Sequence, residues 1–329
     1  MRQARISIGG RWVLLAAVAA IAAAAVVDPA AGGPSGKTED ASETRTLTTE
    51  DGVSIHITYY ISTGEKEAPV VVLLHMKDGN RFVWEGDGLA KKLQQEGYAV
   101  VTVDLRQHGE SKVGGAVGGG NANQSNKKKG KKGGGMDLKP VEYELMVGAD
   151  MEAVKKFILE EHQAGRLNMN KMAIVGAEMG ASVAAAYAVL DWEKEPFDDS
   201  SDERYKTPRG QDVKALVLIS PQEKFHGLQF SRAIQVLKNP DLGIAFFVCS
   251  GNDSKDEKES KKIFDMLTSP SYDKKRMASR TYAAKLSGTD LLYKGLSLED
   301  DIVGFLNSTV KKIDSPWRDR RSRRELKKK

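Results

Sequence analysis

Cysteine is nearly absent from this chain of 329 residues: it has one, Cys249, so an intramolecular disulfide is excluded. Cys249 ends the apolar run 245–248, which indicates a buried strand rather than a reactive thiol. No cysteine lies directly after the N-terminal apolar segment, which excludes a lipoprotein signal. Because 40% of the residues are hydrophobic and 29% are charged, the chain can bury a sizeable core and is not disordered as a whole.

Acidic residues are also absent from two segments and scarce in a third. Residues 1–11 carry +3, the segment 112–135 (from Lys112 to Gly135) carries +6, and residues 311–329 carry +7. Since the whole chain carries +5, the remainder carries −11. An acidic body with basic appendages predicts binding of an anionic surface or polyanion through 112–135 and the C-terminal tail. Solvated tails without a partner are the alternative.

The N-terminus combines a basic start, a 16-residue apolar run from Trp12 to Val27 and an exit of small residues. This order is typical of a secretory signal. The run is short for a membrane-spanning helix, which needs about 20 residues. We therefore expect residues 1–31 to be a signal peptide or an N-terminal anchor, and residues 32–43 to be a linker. The protein would be extracytoplasmic, secreted or periplasmic, either free or held at the membrane.

Apolar runs alternate with helical periodicity between residues 44 and 313. Segments 44–48 and 53–61 predict a hairpin, with its turn at Asp51-Gly52. Apolar runs predict further strands at 70–75, 98–103, 172–175, 215–220, 244–249 and 281–286, and helical spacing predicts helices at 84–95, 145–161, 181–190, 257–267 and 298–310. The alternation predicts a single α/β domain, a mostly parallel sheet with helices on both faces. Residues 112–135 would be a disordered insertion in it, and residues 314–329 a basic tail outside it.

The segment Gly176-Ala177-Glu178-Met179-Gly180 follows a predicted strand and opens a helix of small residues. A Gly-x-X-x-Gly turn between a strand and a helix exposes its central side chain, and the glycines suit a turn that leaves little room for Cβ atoms. This turn resembles the nucleophile elbow of the α/β-hydrolase fold. In that resemblance, Glu178 occupies the position of the catalytic serine.

Five other segments resemble the same fold, in the same order along the chain. They are His75-Met76, the loop 104–111, the strand end 216–221, the strand and loop 247–253, and the loop 287–292. The resemblance implies that Asp253 stands at the acid position and Ser287 at the histidine position. It also implies an oxyanion-type loop formed by His75, Met76 and Met179.

All five histidines precede Asp253, so none can occupy the loop of Ser287. A serine hydrolase needs a hydroxyl nucleophile and a base that titrates near neutrality. With two of the three triad members missing, we expect no ordinary serine-hydrolase activity, and the sequence leaves open whether the protein is an enzyme. A non-catalytic binding or interaction protein is favoured, with a small molecule or a protein as its unidentified partner and no cofactor.

Two alternatives use the carboxylates instead. An atypical hydrolase could employ Glu178 and Asp253, with Glu178 as the nucleophile, as aspartate acts in dehalogenase-like members of the fold. The missing water-activating histidine counts against it, although His226 lies where lids of this fold begin. A cation site of Glu178, Asp253 and His75 would suit magnesium or calcium. Nothing in the spacing demands such a site, and no metal is expected.

Overall fold

The computed structural model describes residues 41–112, 138–268 and 270–326, which belong to one compact unit. The predictions for residues 1–31, for most of the linker and for the insertion after Lys112 lie outside the described residues. Export, the N-terminal anchor and the disorder of the insertion therefore stay predictions. Within the described part of the chain, no helix is both long and apolar enough to span a bilayer.

The strands form one eight-stranded sheet and one small hairpin. The large sheet has the order β1-β2-β4-β3-β5-β6-β9-β10, and β7 pairs with β8. Strands β1 and β2 are antiparallel to each other, β2 is antiparallel to β4, and all the later pairs of the large sheet are parallel. The strands are Ser42–Thr48, Ser54–Tyr60, Pro69–Leu74, Ala99–Val103, Asn168–Ala177, Val213–Ile219, Lys224–Phe225, Leu228–Gln229, Ala245–Gly251 and Met277–Tyr282. The predicted single α/β domain with a mostly parallel sheet is confirmed.

Two apolar layers cover the sheet, one on each face. In β3 every residue is buried, and its side chains alternate between the layers: Val70 and Val72 contact one, Val71 and Leu73 the other. This explains why the central strands are continuous apolar runs rather than alternating ones. The helices are α1 Leu89–Gln95, α2 Pro140–Leu145, α3 Met151–Gln163, α4 Met179–Trp192, α5 Phe230–Leu237, α6 Ser254–Leu267, α7 Leu298–Thr309 and α8 Arg323–Leu326.

Several predicted elements have different bounds in the structure, and two of them show the reason. The helix predicted at 84–95 begins only at Leu89, because Gly86 has a φ of +66° and interrupts the chain after a short 3-10 turn at Arg81–Trp84. The strand predicted at 281–286 lies at Met277–Tyr282, where its partner is β9. Both differences lie at the ends of elements, where the sequence pattern predicts secondary structure least well.

The stretch 314–322, predicted to be part of a tail outside the domain, packs on the body. The Trp317 ring stacks on His162 at 4.9 Å between centroids, and the His162 Nε2 donates to the carbonyl of Arg318 at 2.7 Å. Arg320 is only 4% exposed. The domain boundary predicted after residue 313 is therefore corrected to about Ser322.

Arg320 completes a buried cluster of two cations and two anions. It forms an ion pair with Asp212, and its Nη2 lies 3.0 Å from the Asp212 Oδ2. Lys155 bridges Asp212 and Asp191, with 2.6 Å between its Nζ and the Asp212 Oδ2. The backbone amides of Asp212 and Val213 donate to the Asp191 Oδ2. Because charges buried without partners are costly, each member of the cluster depends on the others.

Candidate functional site

The turn between β5 and α4 holds Glu178 in a backbone conformation that side-chain-bearing residues rarely adopt. Its φ is +46°. A Cβ at Gly176 would lie 2.3 Å from the Gly180 carbonyl oxygen, and one at Gly180 would lie 2.4 Å from the Leu74 carbonyl oxygen. The two glycines therefore permit the close approach of α4 to β3 and β5. The predicted strand–turn–helix is present, and its central residue, Glu178, is partly buried.

The Glu178 side chain contacts the loop that follows β10. The Ser287 hydroxyl donates to the Glu178 Oε1 at 2.8 Å. The next residue, Gly288, has a φ of +56°, and a Cβ there would lie 3.1 Å from the Glu178 Cγ and 2.8 Å from the Met76 Sδ. The structure thus brings together Glu178 and Ser287, which are 109 residues apart, and places Met76 beside them.

Asp253, at the predicted acid position, forms a hydrogen bond that stabilises the end of a helix. Its carboxylate caps α6, accepting from the Lys255 amide at 3.1 Å. A second carboxylate, Asp256, lies one turn into the helix and accepts from the Ser220 hydroxyl at 2.8 Å and the Gly251 amide at 3.1 Å. Burial raises the pKa of Asp256, and the charges of Glu178 and Asp253 add to the rise, while the two hydrogen bonds oppose it.

Ser220 joins Asp256 to the loop of Ser287. The Ser220 oxygen accepts from the Gly288 amide at 2.8 Å while its hydroxyl donates to Asp256. Ser220 itself is buried and has a φ of +50°. The strand end of β6, the start of α6 and the loop after β10 are therefore fixed against one another at the carboxyl edge of the sheet, where sites of α/β folds form.

A cavity of about 320 Å³ opens at this edge. Its lining includes all three predicted positions, Glu178, Asp253 and Ser287. Five carboxylates and two lysines line it, so the pocket is acidic; they are Glu178, Asp253, Asp256, Glu259, Asp290, Lys255 and Lys285. No histidine is among the described lining residues.

The oxyanion-type residues occupy different environments. His75 is fully buried; its Nδ1 donates to the Met76 carbonyl at 2.7 Å and its Nε2 accepts from the Leu105 amide at 3.2 Å. Burial lowers the pKa of His75 to about 4, and His108, whose ring lies 4.9 Å away, contributes. Met179 is buried in the core, and its amide belongs to the first turn of α4, where helix amides have no partner within the helix. His75 thus braces the loop rather than facing the pocket.

The structure also shows where His226 lies and bears on the alternative of a cation site. His226 lies between β7 and β8 and stacks on Tyr143, with 5.0 Å between the ring centroids. Among the residues that the structure describes, no group of three or more histidine, cysteine or acidic side chains is arranged to hold a metal ion. The alternative of a cation site formed by Glu178, Asp253 and His75 gains no support from this arrangement, because the His75 side chain is fully buried.

Solved structures provide the comparison, because no protein-family model and no curated protein sequence matches the chain. An esterase from Pyrococcus furiosus superposes with a TM-score of 0.54 at 15% identity, covering 82% of this chain and 92% of that one. A dienelactone hydrolase from Anabaena variabilis superposes with a TM-score of 0.51 at 14% identity, covering 82% and 95%. The chain has the α/β-hydrolase fold. At these identities the likeness shows the fold alone.

Within the α/β-hydrolase fold, the Gly-x-X-x-Gly turn is the nucleophile elbow. The structure places a carboxylate at this turn, and a serine hydroxyl rather than an imidazole donates to it. Sequence reasoning missed Asp256 and Lys285, since the acid was sought in the loop directly after β9. The spacing of Asp256, three residues after Asp253 and directly before the helix predicted at 257–267, was the available signal for a second carboxylate facing the same edge.

Proposed function

We propose that this α/β-hydrolase-fold protein is a non-catalytic binding protein, exported by its N-terminal segment, that holds a small ligand in the pocket of Glu178. The observation that carries the proposal is the hydrogen bond from Ser287 to Glu178 at the elbow. It joins a carboxylate and a hydroxyl at the two positions where a serine hydrolase of this fold needs a hydroxyl and an imidazole.

The chemistry of these groups supports binding over acyl transfer. Glu178 has no hydroxyl that a base could deprotonate, and Ser287 cannot act as a base near neutral pH. The buried hydroxyl of Ser220 donates to Asp256 and accepts from a backbone amide, so both of its hydrogen-bonding roles are in use. The pocket therefore keeps a shaped polar cavity without the groups that drive serine-hydrolase turnover.

The alternative of a carboxylate nucleophile is less well supported. An alkyl ester formed on Glu178, or an anhydride formed with an acyl group, would need an activated water for its hydrolysis. No histidine lines the described pocket, His226 stacks on Tyr143, and Asp253 caps α6. Glu178 is placed as a nucleophile would be, but the described pocket has no histidine beside it to activate the water that would hydrolyse the intermediate.

The pocket's charge indicates the class of ligand. Five carboxylates face two lysines, so a ligand with an ammonium or guanidinium group is favoured over an anion. Its cationic group would donate to Glu178, whose second oxygen is not used by the Ser287 hydroxyl. Hydrogen bonds that involve a charged group are the stronger ones, so Glu178 would dominate affinity.

The absence of acyl transfer gives the first prediction. The purified protein should show no labelling by a fluorophosphonate probe and no turnover of p-nitrophenyl esters above buffer, because no serine of the described pocket is paired with a histidine. Gel fluorescence and absorbance measure the two results, with an active serine esterase as positive control. Turnover that disappears in Glu178→Gln would instead establish the carboxylate-nucleophile alternative.

Ligand binding gives the second prediction. In a thermal-shift panel of agmatine, choline and spermidine, at least one amine should raise the Tm of the protein. Glu178→Gln should weaken its binding by about tenfold or more, since a charge-assisted hydrogen bond is worth about 1.5–3 kcal/mol. The matched control is Glu160→Gln, which removes the same charge from an exposed position on α3. Equal weakening by both variants, or no shift with any amine, would contradict the ligand assignment.

A further inference from the structure

A second cavity lies at the opposite edge of the sheet. It has a volume of about 500 Å³ and is bounded by the loop 204–214 and the C-terminal stretch 314–326. Asn170, near the start of β5, and Asp212, just before β6, line it, so it opens at the amino ends of these strands. Glu178 and Ser220 follow the carboxyl ends of the same two strands, so the two cavities are separate.

The charge of this cavity is opposite to that of the Glu178 pocket. Seven basic side chains and three carboxylates line it; the basic ones are Arg204, Lys206, Lys214, Arg318, Arg320, Arg321 and Arg323, and the acids are Asp212, Asp314 and Asp319. Some of the basic groups are neutralised locally. Arg320 pairs with Asp212, and Arg321 with Asp319, while Arg204 and Lys206 pair with Asp202 and Glu203 beside them.

The side chains of three cations of the cavity form no ion pair with a described residue, although the Arg323 backbone amide donates to the Asp199 carboxylate at 3.0 Å. Within residues 41–112, 138–268 and 270–326, no carboxylate forms an ion pair with Lys214, Arg318 or Arg323. Lys214 donates instead to the carbonyl of Gln211 at 2.7 Å, and its Nζ lies over the Trp192 ring, 4.7 Å from the centroid. Burial lowers the pKa of Lys214; the charges of Asp212 and Asp191 oppose this shift, while those of Arg320 and Lys155 add to it. An anion in the cavity would compensate these charges.

The geometry points to a site for a polyphosphate group at this cavity, held by Lys214, Arg318 and Arg323. The volume lies in the range of about 300–1,000 Å³ typical of small-molecule sites. A guanidinium presents paired donors that match two phosphate oxygens, and an ammonium adds a point charge. Three cations whose side chains form no ion pair in the described part of the chain suit a ligand with several negative charges better than a single carboxylate. The polyphosphate group could be free or carried by a nucleoside.

Tyr205 is relevant to whether the polyphosphate group is free or carried by a nucleoside. Its side chain lines the cavity and is 59% exposed, which is unusual for a large aromatic residue. An exposed ring beside a polyphosphate site can stack with a nucleobase. Comparison of ATP with tripolyphosphate therefore distinguishes a nucleotide from a free condensed phosphate.

Isothermal titration calorimetry of the full chain with sodium tripolyphosphate at low salt tests the site. We expect binding at one site per chain, weakened about tenfold or more in the triple variant Lys214→Met, Arg318→Ala, Arg323→Ala, since each lost charge-assisted contact is worth about 1.5–3 kcal/mol. The control is Lys238→Ala, Lys258→Ala, Lys261→Ala, which makes the same change in net charge on exposed positions elsewhere. If ATP binds more tightly than tripolyphosphate and Tyr205→Ala removes the difference, the ligand is a nucleotide.

Several results would overturn the site. Equal loss in both triple variants would show that only net charge matters, and the absence of binding at low salt would refute the site directly. Binding to anionic vesicles or DNA without any binding of tripolyphosphate would place the interaction on the surface rather than in the cavity. Circular dichroism checks folding, and the single variants Arg318→Ala and Arg323→Ala serve if the triple variant does not fold. Glu178→Gln should bind tripolyphosphate normally, which separates this site from the proposed function.

Discussion

Replacing Arg320 by alanine should lower the free energy of unfolding by about 3–5 kcal/mol, the range for removing one partner of a buried ion pair. Arg320 is 4% exposed and donates to Asp212, to the Asn170 side chain at 2.6 Å and to the Pro208 carbonyl at 3.0 Å. Without it, the buried Asp212 would keep only Lys155 as a counter-charge. Urea denaturation, followed by circular dichroism, measures the loss.

Arg321→Ala is the matched control, because it removes the same type of side chain one position along. Arg321 is about half exposed and pairs with Asp319, so its removal should cost much less stability than the removal of Arg320. If Arg320→Ala does not fold, Arg320→Lys keeps the charge but loses the two-pronged contact with Asp212, and it should give an intermediate loss. Equal stabilities of the Arg320→Ala and Arg321→Ala variants would show that the buried cluster contributes nothing.

Mild acid should destabilise the protein, and His75 should account for a large part of the effect. Burial lowers its pKa to about 4 in the folded protein, whereas an unfolded histidine has a pKa of about 6.5. Above pH 6.5 the His75 ring is neutral in both the folded and the unfolded protein, so it causes no loss of stability. Between pH 6.5 and 4 the unfolded chain binds a proton that the folded one does not, so stability falls by about 3 kcal/mol in total. Below pH 4 this residue causes no further loss.

Urea denaturation at pH 8, 6.5, 5 and 4.5 measures the pH dependence. Burial also lowers the pKa values of His108 and His162, so their losses add to the same interval. His75→Gln can still donate to Met76 or accept from Leu105 but does not titrate, and it should flatten the decline. The control His226→Ala removes an exposed histidine and should retain the full decline. An unchanged slope in His75→Gln would contradict the assignment to His75.

The fold could be predicted from the sequence because its determinants are local. Continuous apolar runs marked the buried strands, and the glycines of the Glu178 turn marked a close backbone approach, at which any added Cβ would lie 2.3 Å or 2.4 Å from a carbonyl oxygen. The order of six short motifs along the chain was enough to predict that Glu178 and Ser287 lie at the same site. Local pattern failed at α1, where Gly86 and Gly88 delay the helix to Leu89.

The C-terminal stretch could not be predicted, because its burial depends on distant partners. Arg320 and Asp212 are 108 residues apart, and Trp317 packs on His162. A run rich in arginine looks the same in a sequence whether it is solvated or docked on a carboxylate. Asp256 was missed for a related reason: its partner Ser220 lies 36 residues earlier, and a helical position hides which face the carboxylate occupies.

The position of Arg320 near the end of the chain has a consequence for biosynthesis. Chains are made from the N-terminus and domains generally begin to fold in that order, so Lys155, Asp191 and Asp212 are synthesised long before Arg320. Until Arg320 is added, Asp191 and Asp212 form ion pairs with a single lysine, Lys155. A chain released before residue 320 therefore lacks the second counter-charge of the buried Asp212. The folding stability of the domain thus depends on translation having passed residue 320.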